Sequence, residues 1–129
     1  MAGIRRKKIL VIDDDKFFLA SLRSFIGSGG YDVDTATRGN EALDIIREDL
    51  PDLIVVDAVM PEMNGFELAL QIRKLENAKK IPIIMITGLQ ADSDKVSAHG
   101  VGIAEFINKP VKPQELLERI KFHLRLKFS

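Results

Sequence analysis

Three consecutive aspartates, Asp13, Asp14 and Asp15, follow the apolar run Ile9 to Ile12, and Asp57 follows a second apolar run, Leu53 to Val56. Thr87 closes a third run, Ile83 to Ile86, and Lys109 comes just after a fourth short segment, Glu105 to Ile107. Singly, each has an ordinary reading. An aspartate past a strand caps the next helix, a threonine suits a strand, and a lysine is a solvated surface residue. Together they would meet at one edge of a parallel sheet. Carboxylates a few ångströms apart repel by roughly 4 kcal/mol per pair at intermediate dielectric, so a cation is needed among them. Mg²⁺ is the natural choice, with Mn²⁺ as a substitute. Such ions take hard oxygen ligands, and Mg²⁺ keeps several waters and binds through one or two carboxylates plus phosphate oxygens. The chemistry implied is phosphoryl handling.

To converge, these side chains must sit at the carboxyl ends of neighbouring strands. Short apolar runs alternate with segments of helical period along the whole chain, the pattern of βα units around a buried parallel sheet. Five units are read. The strands are Lys8 to Ile12, Tyr31 to Ala36, Leu53 to Val56, Ile83 to Ile86 and Glu105 to Ile107, and the helices 16–27, 39–48, 65–74, 92–100 and 113–126. The first, third and fourth strands are unbroken apolar runs and are expected at the centre. The second alternates Tyr31, Val33 and Thr35 with Asp32 and Asp34, which marks an edge. The fold class is α/β, a doubly wound five-stranded parallel sheet in the order 2-1-3-4-5, with its site off the carboxyl ends of the strands. Gly29 and Gly30 suit the end of the first helix, and Pro113 the first turn of the last.

The 129 residues make one domain, 1–129, and no repeat or linker divides them. Nineteen basic residues balance nineteen acidic ones, which argues against direct nucleic-acid binding and gives no pull toward an anionic membrane. The absence of cysteine removes disulfides, thiolate metal sites and thiol catalysis, and fits a reducing cytoplasm. The apolar run behind the basic start is too short for a membrane span or a signal peptide.

Four stretches carry a family resemblance: Ile9-Leu10-Val11-Ile12-Asp13-Asp14-Asp15; Leu53 to Gly65, with Asp57, Met60-Pro61 and Asn64-Gly65; Ile83-Ile84-Met85-Ile86-Thr87-Gly88; and Phe106-Ile107-Asn108-Lys109-Pro110. They resemble the signatures of response-regulator receiver domains of the chemotaxis-response-regulator kind, over residues 8 to 126. The resemblance implies a flavodoxin-like (βα)5 fold and a two-component signalling switch that catalyses only its own phosphorylation and dephosphorylation. Asp57 would accept the phosphoryl group from a phosphohistidine on a sensor histidine kinase or histidine phosphotransfer protein, or from a small donor such as acetyl phosphate. Asp14, Asp57 and the backbone carbonyl of Val59 would hold Mg²⁺ directly, with Asp13 acting through water. Lys109 and Thr87 would bind the phosphoryl group, and the amides of Ala58 and Gly88 would complete its cradle. Pro110 would follow a cis peptide. Phe106 would rotate as Thr87 moves, altering the surface of the last strands and helices for a downstream effector or output domain.

Other positions depart from the pattern or add to it. Val59 and Leu89 occupy two positions that tune phosphoryl lifetime in the family, and neither can position water by hydrogen bonding, so slow self-dephosphorylation is expected. Asp15 reads as a helix cap. The glycines within 97–102 imply a short or mobile end to the 92–100 helix. Phe17 falls off the core stripe of the first helix (Phe18, Leu22, Phe25, Ile26) and is expected to help dock the kinase. On the last helix Leu117, Ile120 and Leu124 are the expected buried stripe, leaving Phe122 and Leu126 for a partner, a homodimer being one such use. His99 and His123 read as surface residues. Among rivals, a haloacid-dehalogenase-type phosphatase fails at Phe17 and needs more chain, an FMN carrier would be repelled by three acids, and a phosphorylation-independent adaptor leaves the acids, Thr87 and Lys109 unexplained. With the sequence stopping at Ser129, a stand-alone receiver and a fragment of a longer regulator both remain open.

Overall fold

A computed structural model of the chain describes residues 6–88 and 101–127, the side chains of 126 and 127 excepted. Five strands, β1 (Lys8–Ile12), β2 (Asp32–Ala36), β3 (Leu53–Asp57), β4 (Ile83–Thr87) and β5 (Glu105–Asn108), form one parallel sheet in the order β2-β1-β3-β4-β5. Among the described residues four α-helices accompany it: α1 (Lys16–Ser28), α2 (Gly39–Glu48), α3 (Gly65–Lys74) and α4 (Pro113–Lys127). The helix expected over 92–100, with Leu89 and His99, lies outside the described residues, as does the side chain of Leu126.

Strand alternation splits the buried residues into two cores. Leu10, Ile12, Ile54, Val56, Ile83 and Met85 face the helices α2 and α3, through Ala42, Ile46, Leu68 and Ile72. Ile9, Val11, Leu53, Val55, Ile84 and Ile86 face α1 and α4, through Leu22, Ile26, Leu116 and Ile120. Both faces being covered, every residue of β3 and β4 is buried, and that is why these strands read as unbroken apolar runs. The edge strand β2 buries only Ala36 fully. Arg6 and Lys8 meet its acids, Arg6 reaching Asp32 at 3.5 Å and Lys8 reaching Asp34 at 3.3 Å while also pairing with Asp49.

Local signals set the helix starts. Asp15 caps α1, accepting from the amides of Phe17 (3.0 Å) and Phe18 (3.1 Å). Asn64 and Glu67 form a reciprocal capping box at α3. Gly30, just past α1, has φ +98°, a backbone region open to glycine.

Several side-chain assignments differ from expectation. The stripe of α1 that is buried is Leu19, Leu22 and Ile26, with Phe18 and Phe25 only half-buried, because the aromatic rings lie at the margin of the contact. On α4 the buried position is Leu116, and Leu117 is half-buried beside Gly29, so the stripe runs through 116, 120 and 124. His123 is buried (9 % exposed), its Nε2 2.7 Å from Glu105 Oε1. The same carboxylate oxygen accepts from Arg119 Nε at 2.7 Å, so β5 supplies the partner that the sequence of the helix alone does not reveal. Phe122 is exposed, as expected, with the Arg119 guanidinium 4.4 Å from its ring centroid.

Candidate functional site

The strand ends are tied together by hydrogen bonds that continue the sheet past its regular registers. The amide of Asp13 donates to the carbonyl of Ala36 (3.1 Å), that of Ala58 to Ile86 (2.8 Å) and that of Lys109 to Thr87 (3.0 Å). Asp57 and Thr87 are themselves the last residues of β3 and β4, one step inside the positions read from sequence. The loops after β1, β3 and β5 are thereby held against their neighbours, and their side chains meet at one edge.

There the carboxylate oxygens of Asp13, Asp14 and Asp57 lie within 4.8 Å of one another. Asp13 and Asp57 are each 3 % exposed, whereas Asp14 is open to solvent. Lys109 Nζ stands 3.0 Å from Asp57 Oδ2, and the other Asp57 oxygen accepts from the amide of Val59 at 3.0 Å. Thr87 is buried beside them in the sheet, and Gly88 follows it, a methyl group at that glycine falling 3.9 Å from Lys109 Cδ. The peptide bond between Lys109 and Pro110 is cis. The group opens into a cleft of about 780 Å³ whose remaining walls are Asp15 and the apolar Phe18, Val59, Pro110 and Val111. Phe17 stands almost fully in solvent, 90 % exposed, on the first turn of α1 beside the cluster.

One expected contributor is engaged elsewhere. The amide of Ala58 points along the sheet to Ile86, so the acceptor-loop amide that faces Asp57 is that of Val59. Phe106 is half-buried against the core shared with α2 and α3, its ring centroid 6.5 Å from that of Phe66, an arrangement that ordinary core packing also gives. As an apolar lining these side chains were not read from the sequence, although Phe18 lies three positions past Asp15 and Val111 directly follows Lys109-Pro110.

Electrostatics fit the cluster to a divalent cation. Burial pushes the Asp13 carboxyl up to about 6, the negative charges of Asp57 and Asp14 add to the rise, and the Asp15 amide and Lys109 oppose it. A carboxyl held above its ordinary value destabilises the fold when it ionises. The contribution of Asp13 to metal-free stability is therefore fully present below about pH 4 and is lost as pH rises through 6. Replacing Asp13 by asparagine keeps an oxygen for the Asp15 amide and removes the buried charge. Asp13→Asn is expected to stabilise the chelated protein at pH 7.5 by on the order of 2 kcal/mol, a gain that vanishes below pH 4, and to reduce stabilisation by added Mg²⁺. Urea denaturation at both pH values with and without Mg²⁺ measures this, and equal stability at pH 7.5 would contradict it.

A doubly wound parallel sheet with three acids, a threonine and a lysine gathered at its carboxyl edge defines a class. Residues 9–121 match the family model described as the response regulator receiver domain, and the chain belongs to that family. It is 37% identical over 118 residues to the response regulator MprA of Mycolicibacterium vanbaalenii, an alignment covering 92% of this chain and 50% of the relative. The chain thus spans about half the length of that protein. Among solved structures it is similar to a CheY-like receiver domain protein of Methanospirillum hungatei, with TM-score 0.88, 34% identity and coverage of 94% and 95% of the two chains. It is similar also to the chemotaxis protein CheY4 of Vibrio cholerae, with TM-score 0.87, 31% identity and coverage of 91% and 98%. The chain is accordingly a receiver domain of the two-component signalling type. Among the described residues no helix is long and apolar enough to cross a membrane.

Proposed function

We propose that this chain, as one receiver domain over residues 1–129, is a phosphorylation-activated switch with Asp57 as acceptor. The observation that carries the reading is the Asp57 carboxylate held 3.0 Å from Lys109 and within a three-acid cluster. Asp14, Asp57 and the Val59 carbonyl would hold Mg²⁺, with Asp13 linked through water. The ion, when bound, neutralises negative charge on carboxylate and phosphoryl oxygens together.

An Asp57 oxygen attacks phosphorus, and a new P–O bond forms as the donor's bond to phosphorus breaks, the P–N bond of a phosphohistidine or the P–O bond of acetyl phosphate. Lys109 exchanges its contact with Asp57 for one with the transferred group, the Thr87 hydroxyl donates to the same group, and the amides of Val59 and Gly88 complete the cradle. The donor is a sensor histidine kinase or a phosphotransfer protein, whose histidine-bearing surface the exposed Phe17 and the apolar walls suit. As Thr87 is drawn in, Phe106 turns inward, and the altered face of β5 and α4 recruits an effector or output domain; a coupling of about 1–3 kcal/mol suffices for such a shift.

Intact-mass spectrometry after incubation with acetyl phosphate tests the reading. One phosphoryl increment is expected with Mg²⁺ and none with chelator; an increment indifferent to the metal would overturn the assignment. The phosphorylated form is also expected to persist for minutes or longer, since Val59 is 56 % exposed at the mouth and has no group to orient an attacking water. Decay within seconds on acid-stable gels would refute that.

A further inference from the structure

At the opposite end of the sheet, by the amino-terminal ends of β4 and β5, lies a second cleft of about 410 Å³, bounded by the end of α3, the approach to β4, and α4. Its walls include Arg73, Lys79, Lys80 and His123, with Pro82 and Ala104, and among the described residues lining it none is acidic.

Arg73 is the fixed point. Its Nε donates to the carbonyl of Val101 (2.8 Å), Nη1 to Ala78 (2.9 Å) and Nη2 to Gly102 (3.0 Å). All three acceptors are neutral backbone groups, and no carboxylate among the described residues pairs with this guanidinium. Burial lowers its pKa, yet a guanidinium stays protonated in proteins, so a half-buried positive charge is locked in place without a counter-charge among the described residues. Lys79 Nζ, donating to the Arg73 carbonyl at 3.3 Å, brings a second charge to the same wall, and exposed Lys80 a third. Glu105, which pairs with His123 of this wall, is already neutralised by Arg119 at 2.7 Å.

We infer that this cleft is a binding site for a compact oxyanion, a phosphate group being the chemistry it fits. One immobile guanidinium and two ammonium groups line a pocket of small-molecule size, and a dianion there would supply the compensation that no described carboxylate gives Arg73. The inference does not rest on the phosphoacceptor reading, from which the length of the sheet separates it.

The test is a titration of the full chain with sodium phosphate, followed by ¹H–¹⁵N NMR, with chelator present and ionic strength held by sodium chloride. Saturable shifts are expected at the amides of Arg73, Gly102 and Ala104 and at the Arg73 side-chain NH, with a dissociation constant on the order of millimolar. The double variant Lys79→Gln, Lys80→Gln, altered only at exposed side chains, should bind about tenfold more weakly, and Asp57→Asn should bind as wild type. A parallel titration with glycerol phosphate separates the sources: binding as tight as the free ion means that an esterified phosphate is accepted, and no binding means that the site takes inorganic phosphate alone. Non-saturating shifts that sodium chloride reproduces, shifts centred on the acidic edge, or unchanged affinity in the lysine variant would overturn the inference.

Discussion

Asp57→Asn is expected to abolish the phosphoryl increment from acetyl phosphate with the fold intact. Asparagine has nearly the same volume, and its amide oxygen still accepts from the Val59 amide, a bond of 3.0 Å in the wild type. What it lacks is an anionic oxygen able to form a stable acyl phosphate, together with the charge that pairs with Lys109 at 3.0 Å. Lys109 is half-exposed and can turn to water, so the lost pair costs little stability. Removing one of three clustered acids also relieves repulsion on Asp13. The expected outcome is thus an unfolding midpoint at or above that of wild type, weaker Mg²⁺ binding by calorimetry, and no increment in mass. A variant that still gains one phosphoryl group at the wild-type rate would move the acceptor to another residue, Asp13 or Asp14 being the neighbours able to take it.

Gly65→Ala is expected to be among the most damaging single substitutions in the chain. A Cβ at Gly65 would stand 2.4 Å from the Asp57 carbonyl oxygen, 2.9 Å from Ala58 Cα and 3.0 Å from the Asp57 carbonyl carbon. These are backbone atoms of the acceptor segment, so no rotamer change relieves the clash, and the Gly65 amide is also bonded to the Ala58 carbonyl at 2.9 Å. Either α3 withdraws from β3 or Asp57 is displaced. We expect a loss on the order of 3 kcal/mol by urea denaturation, and impaired phosphorylation in whatever fraction remains folded. Gly27→Ala is the control: nothing lies within 4 Å of a methyl group there, in the last turn of α1, and a change between zero and a gain of about 1 kcal/mol is expected. Near-neutral behaviour of Gly65→Ala would show that the α3 entrance yields more easily than its contacts imply.

Much of this was legible in the sequence, for physical reasons. Strands buried on both faces leave unbroken apolar runs, so β1, β3 and β4 declared their central place, and Asp32 and Asp34 declared the edge. The acids and Thr87 were found because they terminate those runs, and Lys109 because it closely follows the fifth strand. Less legible was anything decided across long sequence separations. The bond from Ala58 to Ile86 takes up an amide that the family resemblance had assigned to the site. His123 looked solvated because its partner, Glu105, is eighteen positions away on another element. Arg73 was not singled out in the sequence, and only the fold brings it to Val101 and Gly102. Leu116 and Leu117 are adjacent and chemically identical, so helical period alone could not choose the inward one.

The two outer strands have a bearing on how these molecules behave toward one another. Among the described residues, a parallel sheet in this order leaves β2 and β5 with unpaired margins, each a ready template for another chain's backbone. Here the margins are only five and four residues long, and β2 sets two acids, each salt-bridged to the amino-terminal stretch, along its length. Short, charged borders of that kind disfavour stitching of one sheet onto the next, which guards a crowded population against fibrous aggregation.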